Sequence, residues 1–75
     1  MWKVVGFKFR DAQNGSRYYD VYLQRELSNG SGLECRAVNY SANYVEYVPS
    51  LNDIVVVSTR EYNGRTIVSE MYKVK

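Results

Sequence analysis

Turn-forming tracts cut this chain into segments that are short and rich in β-branched and aromatic residues. Asn14-Gly15 and Asn63-Gly64 are pairs in which both residues tolerate positive φ, the requirement of tight hairpin turns. Ser28-Asn29-Gly30-Ser31-Gly32 is another turn tract. The intervening segments, Trp2–Arg10, Arg17–Leu27, Leu33–Tyr40, Ile54–Thr59 and Thr66–Val74, read as strands one to five. The 75 residues make one domain, 1–75, without repeat, linker or low-complexity tract.

Alternation assigns provisional faces. In strand one, Val5, Phe7 and Phe9 share one face, and Trp2, Val4, Lys8 and Arg10 the other, with Gly6 marking a bulge or bend. In strand two, Tyr19, Val21, Leu23 and Leu27 form the expected core set. Tyr18, Asp20, Tyr22, Gln24 and Glu26 then face solvent. Strand three is expected to turn Leu33, Cys35 and Ala37 inward and Glu34 and Arg36 outward. The apolar run Ile54-Val55-Val56-Val57 predicts a strand buried on both faces, or one between core and interface.

Residues 41–52 are the least regular. Ser41 is placed to cap a single helical turn through Ala42-Asn43-Tyr44-Val45-Glu46, and Pro49 stops any continuation. Tyr44, Val45, Tyr47 and Val48 are expected to plug a barrel end or form a dimer contact. The expected fold is therefore all-β. It is a five-stranded OB-like Greek-key barrel with a short irregular or single-turn helical segment between strands three and four. SH3-like barrels share the strand count.

The chain has no histidine and one cysteine. That removes Ser-His and Cys-His catalysis, internal disulfides and the usual zinc ligand sets. No phosphate-binding glycine loop or calcium-loop spacing occurs, and the carboxylates are scattered. The expectation is a non-enzyme with neither metal nor cofactor. Cys35 is expected to be a small buried apolar residue in a reducing cytoplasm. A core this small is often supplemented by oligomerisation, so a homodimer is expected. Nothing at the start resembles a signal peptide, and the longest apolar run is far below the roughly 20 residues that cross a bilayer. No membrane partner is expected.

Eight tyrosines and six arginines carry the binding signal. The net charge is only +2, but residues 1–25 hold Lys3, Lys8, Arg10, Arg17 and Arg25 against Asp11 and Asp20. Rings stack on bases and guanidinium groups neutralise phosphates, so interleaved Tyr and Arg suit single-stranded nucleic acid. Arg17, Tyr18, Tyr22, Arg25 and Arg36 are the candidates on strands two and three. Arg60, Tyr62 and Arg65 are those of the last hairpin. OB folds bind oligonucleotides on strands two and three between the first and last hairpin loops. The same residues also serve two other readings. Tyr and Arg anchor protein interfaces, as in a protein-interaction module such as a phage-encoded inhibitor of a host protein. Tyrosine also simply favours strands, and Tyr–Arg pairs stabilise sheets.

Tyr47-Val48-Pro49-Ser50-Leu51-Asn52-Asp53-Ile54-Val55-Val56-Val57, followed by an aromatic–Gly hairpin and an apolar last strand, resembles the C-terminal half of gene V-type single-stranded DNA-binding proteins of filamentous phages. It also resembles small OB-like proteins of phages and mobile elements. Gly15-Ser16-Arg17-Tyr18 is similar to that family's Gly-basic-aromatic stretch entering strand two. The resemblance implies a dimeric OB-like barrel that coats single-stranded DNA during replication in the cytoplasm of a bacterial or phage-infected host cell. By motif, Tyr18 would stack on bases, Arg17 would contact phosphate and Tyr62 would occupy the hairpin-tip aromatic position. Lys8 and Arg10 would fall in the region of the basic wing. The loop before Tyr18 is shorter than the family's wing, and Glu70 stands where a basic residue would help.

Overall fold

The computed structural model describes all residues, Met1 to Lys75. Five strands form one antiparallel sheet in the order β3-β2-β1-β4-β5. They are β1 (Trp2–Asp11), β2 (Arg17–Glu26), β3 (Leu33–Ser41), β4 (Ile54–Tyr62) and β5 (Arg65–Lys73). β3 touches β5, but no ladder joins them, so the sheet is not closed into a barrel.

β1 pairs with β2 over nearly its whole length but meets β4 only at Trp2↔Val55 and Lys3↔Ile54. One further turn of pairing follows. Val4 N–H donates to the Asp53 carbonyl at 2.9 Å, and Asn52 N–H donates to the Val4 carbonyl at 2.9 Å. Beyond that point the β4 side of β1 has no partner strand. The radius of gyration, 13.0 Å, exceeds the roughly 11 Å of a compact domain of this length. The excess reflects the β4–β5 hairpin, whose residues from Ser58 to Thr66 are all exposed.

The register shifts between Val4 and Gly6, a bulge next to the glycine. The extra residue changes the phase of the strand. Val4 faces Leu23 across the ladder, yet Phe7 faces Val21 and Phe9 faces Tyr19. Trp2, Val4, Phe7 and Phe9 therefore share the inner face. Lys8 and Arg10 join Lys3 on the outer face, which corrects the expected grouping.

Ten buried side chains make the core: Trp2, Val4, Tyr19, Val21, Leu23, Val38, Tyr40, Val45, Val55 and Met71. The curl of the sheet brings β5 against β3. Leu27, expected in the core, lies just past β2 and is exposed.

β3 is inverted relative to expectation. Its pairs Tyr19↔Tyr40, Val21↔Val38 and Leu23↔Arg36 put Val38 and Tyr40 inside, with Glu34 and Arg36 at the margin of the inner face. Leu33, Cys35 and Ala37 are exposed on the outer face. Cys35 is thus a free, exposed thiol rather than a buried apolar residue.

The helical turn expected after Ser41 is absent. Residues 42–44 form a turn in which the Ser41 carbonyl accepts from Tyr44 N–H at 3.0 Å and Val45 N–H at 3.1 Å. The Ser41 hydroxyl accepts from Asn43 N–H at 3.2 Å. Irregular chain follows, with Val45 and Pro49 buried. The tract holds itself through side chains. Tyr40 O–H donates to the Tyr47 carbonyl at 2.9 Å, and Tyr47 O–H donates to Asp53 at 2.6 Å.

Candidate functional site

The strand pairings divide the expected binding residues among three places. On the inner face, Arg17 and Arg25 are already engaged. Arg17 holds Asp11 through two hydrogen bonds, at 2.7 and 3.0 Å, and its guanidinium lies 4.1 Å over the Phe9 ring. This bidentate pair closes the β1–β2 loop. Hydrogen bonds to Asp11 and then Tyr19 push the Arg17 pKa up, and Arg17 holds the Asp11 carboxyl below its ordinary range. Arg25 pairs with Glu34 at 2.8 Å and stacks 4.1 Å over Trp2. Arg36 approaches the same indole at 5.7 Å. These two cations roof Trp2, their stems excluding water while the charged heads stay wet.

On the outer face, Tyr22 and Cys35 border a shallow depression of about 360 Å³ with Val5, Gln24 and Ala37. Nearby pairing sets Lys8 against Asp20 and Arg10 against Tyr18. Asp20 is also hydrogen-bonded by Asn39 Nδ2 at 2.7 Å, which leaves it a less effective competitor for phosphate.

The third place brings together residues distant in sequence. A groove of about 810 Å³ runs between the β2–β3 edge and the β4–β5 hairpin. Tyr18, Tyr44, Tyr62 and Arg60 line it, with Tyr40 and Ile67 contributing apolar wall. Tyr44 is 87% exposed and Tyr62 61%, so both rings are accessible. Arg10 lies 5.1 Å over the Tyr18 ring on the neighbouring strand. Neither Arg10 nor Arg60 is within 4.0 Å of a carboxylate, unlike Arg17 and Arg25. The hairpin turn is tight. Asn63 (φ 51) and Gly64 (φ 76) adopt the paired left-handed conformation expected of Asn-Gly, setting Tyr62 across from Arg65 at the tip.

Tyr18, Arg60 and Tyr62 therefore converge, and Arg65 stands at the rim of the hairpin. Tyr22 lies apart on the outer face, and Arg17, Arg25 and Arg36 belong to the inner face. Tyr44 was missed as a site residue because its tract reads as a barrel plug. Alternation alone groups Arg10 with Trp2, Val4 and Lys8, and its place beside Tyr18 depends on the bulge. The glycine at position 6 is the one sequence signal that exposes that phase.

Comparison with protein-family models, curated proteins and solved structures found no match for this chain.

Proposed function

We propose that this chain binds single-stranded nucleic acid, without strong sequence preference, in the groove between β3 and the β4–β5 hairpin. The observation that carries the reading is the convergence of Tyr18, Tyr44 and Tyr62 around one open groove beside the unpaired cations Arg10 and Arg60. Every base offers a π-face and every nucleotide a phosphate, so this pairing of groups accepts any sequence. Duplex would bury those base faces from the rings. The strand order, with a bulged central β1, supports an OB-type sheet whose seam between β3 and β5 is left open at the groove. Lys8 and Arg65 extend the cationic track, while Arg17 and Arg25 serve the fold.

Titration of labelled oligo-dT tests the reading. With about three or four phosphates neutralised, affinity should fall roughly twenty- to fifty-fold between about 50 and 200 mM salt. Tyr18→Ala and Tyr62→Ala should each weaken binding by about 1–3 kcal/mol. Tyr72→Ala, an exposed ring that does not line the groove, should leave it unchanged. Absence of binding at low salt, or equal effects of all three substitutions, would sink the proposal.

A protein-interaction reading is favoured by a different observation. Phe7 is 39% and Phe9 53% exposed on the half of β1 that lacks a second partner strand. A protein that stays bound to this chain after nuclease treatment, and is lost on Phe9→Ala, would support that reading instead.

A further inference from the structure

The outer edge of β3 has no partner strand. Two hydrogen bonds fix which backbone groups face outward. Leu27 N–H donates to the Gly32 carbonyl at 3.2 Å, and Ala42 N–H donates to the Arg17 carbonyl at 2.8 Å. The unbroken register between those points makes 34, 36, 38 and 40 the residues bonded to β2. The N–H and C=O groups of Leu33, Cys35 and Ala37 therefore point away from the sheet. β5 reaches the other end of β3, where Asn39, Tyr40 and Ser41 line the groove with Ile67 to Ser69. The half from Leu33 to Ala37 remains open.

The sequence of that half, Leu33-Glu34-Cys35-Arg36-Ala37, is complementary to itself when read antiparallel. About a two-fold axis at Cys35, Glu34 meets Arg36 of a second copy, and Arg36 meets its Glu34. Leu33 meets Ala37, apolar against apolar. Centring the axis on Glu34 or Arg36 instead sets like charges opposite each other, and centring it on Ala37 sets Arg36 against Val38. Opposite charges across an antiparallel pair stabilise it, and like charges destabilise it. Edge strands left open are usually blunted by charge, proline or a bulge. This half of β3 has neither proline nor bulge, and its two charges have opposite sign.

We propose that two copies of this chain join through β3, antiparallel and centred on Cys35, to form a ten-stranded sheet (about twice the present one). The axis runs through the sheet, so the two outer faces become continuous and the two grooves lie at opposite flanks. Cys35 faces Cys35 of the second copy in a hydrogen-bonded pair, with Cα atoms about 5.5 Å apart. That separation is within the range a disulfide spans. The thiol is thus a reporter of the register. The inference stands on the edge itself and does not depend on nucleic-acid binding.

The experiment is done on the full chain without nucleic acid. Sedimentation equilibrium should give twice the monomer mass. Diamide, which takes up two hydrogens as two thiols become one disulfide, should yield a covalent dimer through Cys35. Arg36→Glu, which opposes Glu34 with glutamate, should give a monomer that diamide no longer cross-links efficiently. Glu34→Arg combined with Arg36→Glu, which restores opposite signs between the copies while giving up the Arg25–Glu34 pair within each, should restore both the mass and the cross-link. Circular dichroism should show that each variant is folded. In wild type, the Cys35 amide should exchange slowly, a readout that needs no substitution. A monomer at all concentrations, a dimer indifferent to Arg36→Glu, or a fast-exchanging Cys35 amide would each overturn the proposal.

Discussion

Asp53 is 8% exposed, and a carboxylate at such a depth needs partners. It accepts a 2.6 Å hydrogen bond from Tyr47 and lies 3.4 Å from the Lys73 ammonium. Tyr47 in turn offers its carbonyl to Tyr40. Two phenols and one acid thus tie the irregular tract to both β3 and the start of β4. Tyr47→Phe should cost about 1–3 kcal/mol in urea unfolding, since it strips the acid of a donor without opening a cavity. Burial, followed for Tyr47 by the hydrogen bond to Asp53, pushes the pKa of Tyr40 and Tyr47 above the ordinary value of 10.0. The unfolded chain therefore releases these protons first. The stability they support is complete below about pH 10 and is lost as pH rises toward their folded values. Denaturant midpoints should decline above that pH in wild type, and less steeply in Tyr40→Phe. An unchanged slope would remove Tyr40 from this account.

At the level of elements, the strands were legible because each is bounded by a turn that the sequence names. The three hairpins have their turns where Asn14-Gly15, the 28–32 tract and Asn63-Gly64 require them. Gly64→Ala should cost about 1–2 kcal/mol, because φ +76 crowds a Cβ against its own backbone although the surrounding space is open. Faces were less legible than strands, and for one physical reason. Side-chain direction has a period of two, so a single unpaired residue reverses everything beyond it. The bulge at Val5-Gly6 did this in β1. In β3 the alternation of Leu33, Cys35 and Ala37 gave the wrong sign, because the stronger pair Val38 and Tyr40 lies on the opposite phase from Ala37. The irregular tract was misread for another reason. A serine cap can close a turn, but with Val45 and Pro49 buried the following chain is irregular rather than helical.

At the scale of the whole molecule, the sheet is neither flat nor closed. β1 holds β4 by its first residues alone, so the hairpin stands out from the body and bounds a groove with β2 and β3. No local pattern encodes that groove. Tyr18, Tyr44 and Tyr62 come from a strand, a turn and a hairpin tip, and only the curl of the sheet brings them together. Three of the five arginines expected to contact phosphate, Arg17, Arg25 and Arg36, lie over aromatic side chains of the inner face, Phe9 and Trp2. Arg25→Ala should accordingly lower thermal stability by uncovering Trp2, while changing oligo-dT affinity little. A loss of affinity at unchanged stability would return Arg25 to the binding surface. The most direct measurement of the central claim is a map of backbone amide shifts in ¹⁵N-labelled protein titrated with oligo-dT. The account predicts perturbations at Arg10, Tyr18, residues 39–45 and residues 60–69, with the depression around Tyr22 and Ala37 largely silent. Shifts confined to Phe7 and Phe9, or no shifts at low salt, would contradict it.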